Sequence, residues 1–384
     1  MLALTYAALL GVAVAQPWGP PGGSHDSHSS GGYGPGGYHS TSVSSAESSA
    51  QTPFEFPLNN GFPNITNPSE ELNDIEDQAH GTLPNGPPPP SITEDTKTSL
   101  RLIAFNEIFE VAFFTDLIYN ITNHVEGYDL GRRGIESFIL KTLTAVQAQE
   151  ELHALNANGA LANFGEDPIQ ACKYVFPVDN FDDAINLAST FTDVVLGTLQ
   201  DVQNSLGVDG DIGLIRGVGS VIGQEGEQNG YYRSLEGKIP SALPFLTTST
   251  REFAFSALNQ MFVVPGSCPN ENEIALPIFG ALTVDTKNIE PKNQTLTFTV
   301  KSDSLDGDSL VYINQQNLPV VEDIENIKKD GGYITFDAFF PFDALPGGMN
   351  GLTIAAVTNS SGPFDSANAV ANATVFGPGL IEIN

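Results

Sequence analysis

The sequence predicts a mainly α protein: a four-helix bundle with a short fifth helix, followed by a small C-terminal β-sandwich. Three observations predict it. Long segments between about residues 91 and 260 repeat their apolar residues at helical spacing. The links between those segments run short, long, short, which suits a bundle with one crossing connection. From Thr295 onward the hydrophobic period becomes two, the mark of half-buried strands.

Taken in chain order, residues 1–15 (MLALTYAALLGVAVA) form a short apolar run closed by Ala13, Val14 and Ala15. This is the small-x-small pattern of a signal peptide, with cleavage expected before Gln16. The run is too short to anchor a helix in a bilayer, and no later segment is long and apolar enough to span one, so no membrane association is expected. Residues 16–90 are rich in Gly, Ser and Pro and are expected to be disordered, because such a mixture buries too little apolar area to offset chain entropy. His25, His28 and His39 are scattered through this tract as bystanders, and Pro87 to Pro90 close it as a stiff spacer.

A domain over 91–290 follows. Ser91 with Glu94 reads as a capping box opening a first helix to about Asn123. The second runs from about Ile135 to Asn156, with Phe138, Leu140, Leu143, Val146 and Leu152 apolar and Gly159 as its stop. After a long link containing Cys172, the acidic turn DNFDD opens a third helix that ends at about Leu206, before Gly207. A fourth spans about Ile212 to Leu235, and a second capping box, Ser249 with Glu252, announces the short fifth. In the final domain, 291–384, strands are expected at 295–300, 309–313, 334–340, 351–357 and 370–376, and DSLDGDS at 303–309 lacks calcium-loop spacing and reads as a turn.

Composition bounds the function. Forty-six acidic against fifteen basic residues give a net charge of −31, which repels nucleic acid and anionic membrane surfaces and suits an acidic extracellular medium. The two cysteines, Cys172 and Cys268, are expected to form a disulfide in an oxidising compartment. Sequons at Asn64, Asn120, Asn293, Asn359 and Asn372 are candidate glycosylation sites in an exported chain. No Ser-His-Asp set, phosphate loop or nicotinamide fingerprint occurs.

The chemistry-bearing residues sit on the helices. In QEELH, Glu150 and His153 stand three positions apart, hence on one helix face, where a carboxylate and an imidazole converge on one ion. FNEIFEVAFF places Glu107 and Glu110 among large apolar neighbours, where a carboxylate is costly to bury unless something neutralises it. In IGQEGEQNGYYR, Glu225 is followed three positions on by Gln228, an amide where a second imidazole would complete the pattern. The third helix offers Thr192 at the expected ligand position, with Asp193 rotated from it by about 100°. Tyr231 and Tyr232 lie beyond Glu225 and read as core residues with a polar tip.

With these motifs, about 90–290 resembles the ferritin-like domain family that includes secreted fungal late sexual development and stress-response proteins and plant desiccation-related proteins. QEELH resembles the family's Gln-Glu-x-x-His, FNEIFEVAFF its first-helix Glu pattern, and the Glu225 stretch its Glu-x-x-His region. The resemblance implies a ferritin-like bundle in a secreted protein of development or stress response, and the departures at Thr192 and Gln228 imply a degenerate di-metal site. Two readings stay open. One is a non-catalytic extracellular or cell-wall component; the other is a metal-binding protein or carboxylate oxidoreductase in which iron or manganese sits among Glu107, Glu110, Glu150, His153, Glu225 and Gln228. A third, glycan or protein binding by the β-rich tail, rests on fold analogy.

Overall fold

A computed structural model describes residues 52–131, 133–305, 307 and 309–383. The leader with its cleavage site, His25, His28, His39 and most of the Gly/Ser/Pro tract lie outside the described residues, as do positions 306 and 308 of the acidic turn.

The expectation of disorder to residue 90 does not hold for 52–90. Phe62 is fully buried, with its ring 6.0 Å from that of Phe56. Ser69 accepts the Leu72 amide and caps helix α1 (Glu70–Ala79), which sets Leu72, Ile75 and Ala79 against Ala148 and Leu152. The cause is local: PFEFPLNNGF brings aromatic area that the composition of the whole tract conceals.

Four long helices make the bundle: α2 (Glu94–Thr122), α3 (Arg133–Asn163), α4 (Phe181–Asp209) and α5 (Ile215–Leu235). Thr93, not Ser91, caps α2, its hydroxyl accepting from the Thr96 amide at 3.1 Å and donating to Asp209 at 2.6 Å. Helix α3 runs through Gly159, where a side chain would meet nothing, and ends before Gly165 at φ +79°. Helix α4 likewise passes Gly207 and stops at Gly210, φ +83°. Thr250, one residue after Ser249, caps α6 (Arg251–Met261). Helix α2 is the central rod. Phe109 packs 5.2 Å from Phe191 and 4.6 Å from Phe262, and Phe113 packs 5.0 Å from Phe191. Phe138, expected on the apolar face of its helix, is instead 63% exposed.

The long link 164–180 is fastened at its middle. Cys172 and Cys268 form a disulfide, and beside it the Val175 amide donates to Phe262 O and the Val264 amide to Lys173 O. Helix α5 differs from its neighbours: it carries five glycines in 21 residues, and its buried positions are Glu225, Gln228, Asn229, Tyr232 and Arg233, none of them aliphatic. Gly223 and Gly226 face open space. Gly223→Ala and Gly226→Ala are each expected to raise stability by about 0.5–1 kcal/mol, read as a higher urea midpoint at constant slope.

The C-terminal part is a sandwich of two antiparallel four-stranded sheets, β1-β2-β6-β5 and β4-β3-β7-β8. The strands are β1 (Leu282–Val284), β2 (Gln294–Lys301), β3 (Ser309–Asn314), β4 (Val320–Glu322), β5 (Glu325–Asp330), β6 (Tyr333–Phe340), β7 (Gly351–Thr358) and β8 (Thr374–Ile383). Leu296, Phe298, Phe336 and Phe340 of one sheet meet Leu310, Tyr312 and Val357 of the other. Strands β3 and β7 are buried on both faces, because Val311, Ile313 and Ile354 turn toward Val194 of α4 and Phe253 and Ala254 of α6. The sandwich thus begins at β1, ahead of residue 291, and shares a core with the bundle. The strand expected at 370–376 is instead largely helix α7 (Ala367–Ala373), capped by Ser366; its alanines favour helix once a cap is present.

Candidate metal centre

Glu107 of α2, Glu150 and His153 of α3 and Glu225 of α5 converge in the bundle. One potential ligand atom from each lies within 4.8 Å of the others. The three carboxylates are fully buried and the imidazole is partly exposed. His153 Nδ1 stands 2.8 Å from Glu150 Oε2 and 3.5 Å from Glu107 Oε2, and Gln228 Nε2 donates to Glu150 Oε1 at 2.6 Å. Glu107 Oε2 and both oxygens of Glu225 have no hydrogen-bond partner among the described residues.

Protonation follows from that geometry. Burial holds the Glu107 carboxyl up to about 7, against the pull of His153. Glu225 is raised further, by burial and by the facing Glu107 and Glu150 charges. His153 is held well above its ordinary value because Glu150 and Glu107 outweigh its burial. Glu150 goes the other way: although burial opposes ionisation, the imidazole and its hydrogen bonds keep it below the ordinary carboxylate value. One imidazolium therefore balances one carboxylate, Glu110 and Glu225 stay protonated near neutral pH, and Glu107 is about half ionised there, unless a further cation is present.

The other expected residues divide. Glu110 is buried nearby but accepts from Asn106 Nδ2 at 2.8 Å and is raised well above its ordinary value, by burial and then by the Glu150 and Glu225 charges. Gln228 reaches the centre as a donor to Glu150. Asp193 turns away: it accepts from Asn229 Nδ2 at 2.9 Å, and burial lifts it to about 6 despite the nearby Arg233. Thr192 is buried without a carboxylate to offer, so α4 supplies no acidic ligand. Tyr232 is fully buried against Phe114, with burial and the Glu150, Glu110 and Glu225 charges pushing its hydroxyl upward.

Spacing rules did not foretell the amides. Gln149 accepts from Gln224 at 2.9 Å and from Gln228 at 3.2 Å, joining α3 to α5. On the outer side of α3, Asn60 donates to both oxygens of Glu151 at 3.0 and 2.9 Å, which ties residues 52–69 to the bundle. The chance of reading either lay only in the density of Gln and Asn around the two Glu motifs.

Residues 100–238, from α2 to just past α5, match the family described as a ferritin-like domain, so the bundle is a ferritin-like domain followed by antiparallel sheets. A search of curated proteins finds none that matches the chain.

Proposed function

We propose that this ferritin-like bundle binds one divalent cation, iron or manganese, through Glu107, Glu150, His153 and Glu225. The observation that carries the reading is Glu225: 0% exposed, with neither carboxylate oxygen hydrogen-bonded, beside two further carboxylates and an imidazole. Oxygen-rich ligation with one nitrogen suits a hard to intermediate divalent ion. The chain's own residues give the rest: Gln228 orients Glu150, and Asn106 holds Glu110 back from the ligand set. A bound ion would supply Lewis acidity or one-electron chemistry. With no acidic ligand from α4 and an amide at Gln228, the set is a reduced version of a two-ion centre.

A second reading, a metal-free polar network, is favoured by the bonds among Gln228, Glu150 and His153, but it leaves Glu225 unsatisfied. Elemental analysis of protein purified without chelator and reconstituted with Fe²⁺ or Mn²⁺ separates the two. The expected result is close to one ion per chain, lost in His153→Ala and in Glu225→Ala; wild-type protein that stays metal-free after reconstitution overturns the assignment.

The setting we propose is extracellular or at the cell wall. The apolar leader, the Cys172–Cys268 disulfide and the exposure of the sequon residues Asn64, Asn293, Asn359 and Asn372 support export, and no helix of the described residues is long and apolar enough to cross a membrane. The resemblance of QEELH and FNEIFEVAFF supports service in fungal sexual development or stress response.

A further inference from the structure

The centre has two unlike flanks. Toward α2 and α4, Glu107 borders a mostly apolar cavity of about 10 Å³, with room for one water, whose lining includes Ile103, Val195, Leu199 and Ala254 together with Asn106 and Thr198. Its polar side chains, Asn106 and Thr198, are already bonded, to Glu110 and to Val194 O. Toward α3 and α5 the contacts are amides. Gln224 is partly exposed, Gln228 is buried, and each donates its Nε2 to Gln149 while its own Oε1 is buried and unpartnered. Gln228 also touches Glu150, and Glu225, with both oxygens free of hydrogen bonds, stands between the two glutamines in sequence. Two unpartnered amide oxygens therefore lie at the α3–α5 contact, one on the partly exposed Gln224 and one on Gln228, which touches Glu150. The wall of this contact, α5, is glycine-rich, and its apolar packing into the bundle is concentrated near its C-terminal end, at Tyr231, Tyr232 and Leu235.

We propose that the α3–α5 seam is the port through which divalent cations reach the centre, with the Gln224 and Gln228 amide oxygens as transit ligands. This rests on the metal-binding reading. Water lost from the ion is replaced first by neutral amide oxygens and then by Glu225 and Glu150, so no step strands a bare charge.

Uptake of Mn²⁺ by metal-stripped full-length protein, followed through the loss of the free aqueous Mn²⁺ signal in electron paramagnetic resonance, tests it. Gln224→Leu is expected to slow uptake about tenfold with the final stoichiometry unchanged. Gln224→Glu is expected to speed it about tenfold. Ile103→Phe, on the apolar flank, is expected to leave the rate alone. Wild-type protein that takes up no Mn²⁺ overturns the centre and the port with it. Uptake that proceeds in Gln224→Leu at the wild-type rate, or is slowed only by Ile103→Phe, overturns the port alone. Should Gln224→Leu fail to fold by circular dichroism, Gln224→Glu decides, and a rate no faster than wild type overturns the proposal.

Discussion

Metal-free protein is expected to lose several kcal/mol of stability as pH rises from 4.5 to 7. Glu151 and Glu107 both sit in the fold at about 7 against an ordinary 4.5, burial being the first cause in each. In that window the native state keeps protons that the unfolded chain has released, so each pH unit climbed withdraws about 1.4 kcal/mol per group, or about 3 kcal/mol across it. Glu110 and Glu225, raised further still, act in the same direction, while Glu150, held low by His153, contributes in the opposite sense only below about pH 4.5. Urea unfolding in chelator at pH 5 and pH 7 should show the decline, and stability that is flat or rising over that interval contradicts it. Glu151→Gln should remove about 3 kcal/mol of the decline with or without metal, since Glu151 bonds to Asn60 and Gln147 rather than to the centre. Added Mn²⁺ should flatten the remainder, because a bound cation favours the ionised carboxylates.

Replacing both Cys172 and Cys268 with Ser is expected to lower stability by about 4–5 kcal/mol. The disulfide closes a loop with a sequence separation of 96, and the chain-entropy loss that such a loop imposes on the unfolded state is close to that of a hundred-residue loop, about 4.7 kcal/mol. The loop contains all of α4, α5 and α6, so the reduced chain gains freedom over much of the bundle. Equilibrium unfolding of wild type and the double variant under identical conditions measures it; a difference below about 1 kcal/mol would show that the unfolded chain is already constrained there.

The bundle was legible because its signals are local. Glu150 and His153 advertise one helix face through their spacing, and the structure places Glu107 and Glu225 beside them. Helix ends were less so. Ser91 and Ser249 are as capable of capping as Thr93 and Thr250, and only the packed structure selects among neighbours. Gly159 and Gly207 looked like stops, yet open space around a glycine lets a helix continue at a modest cost that packing elsewhere offsets. Asp193 is one residue from the ligand position, and that rotation suffices to hand it to Asn229. The Gln149–Gln224–Gln228 bridge was beyond sequence reasoning, since no period relates residues on different helices.

Strand β7, with every residue buried, carries a further consequence. A protease nick or a truncation near residue 290 would not release two tidy modules. Each fragment would bare a stripe of aliphatic side chains, Val311, Ile313 and Ile354 on one and Val194, Phe253 and Ala254 on the other, inviting self-association of the pieces. Helix bundle and sheets should therefore melt in a single calorimetric transition.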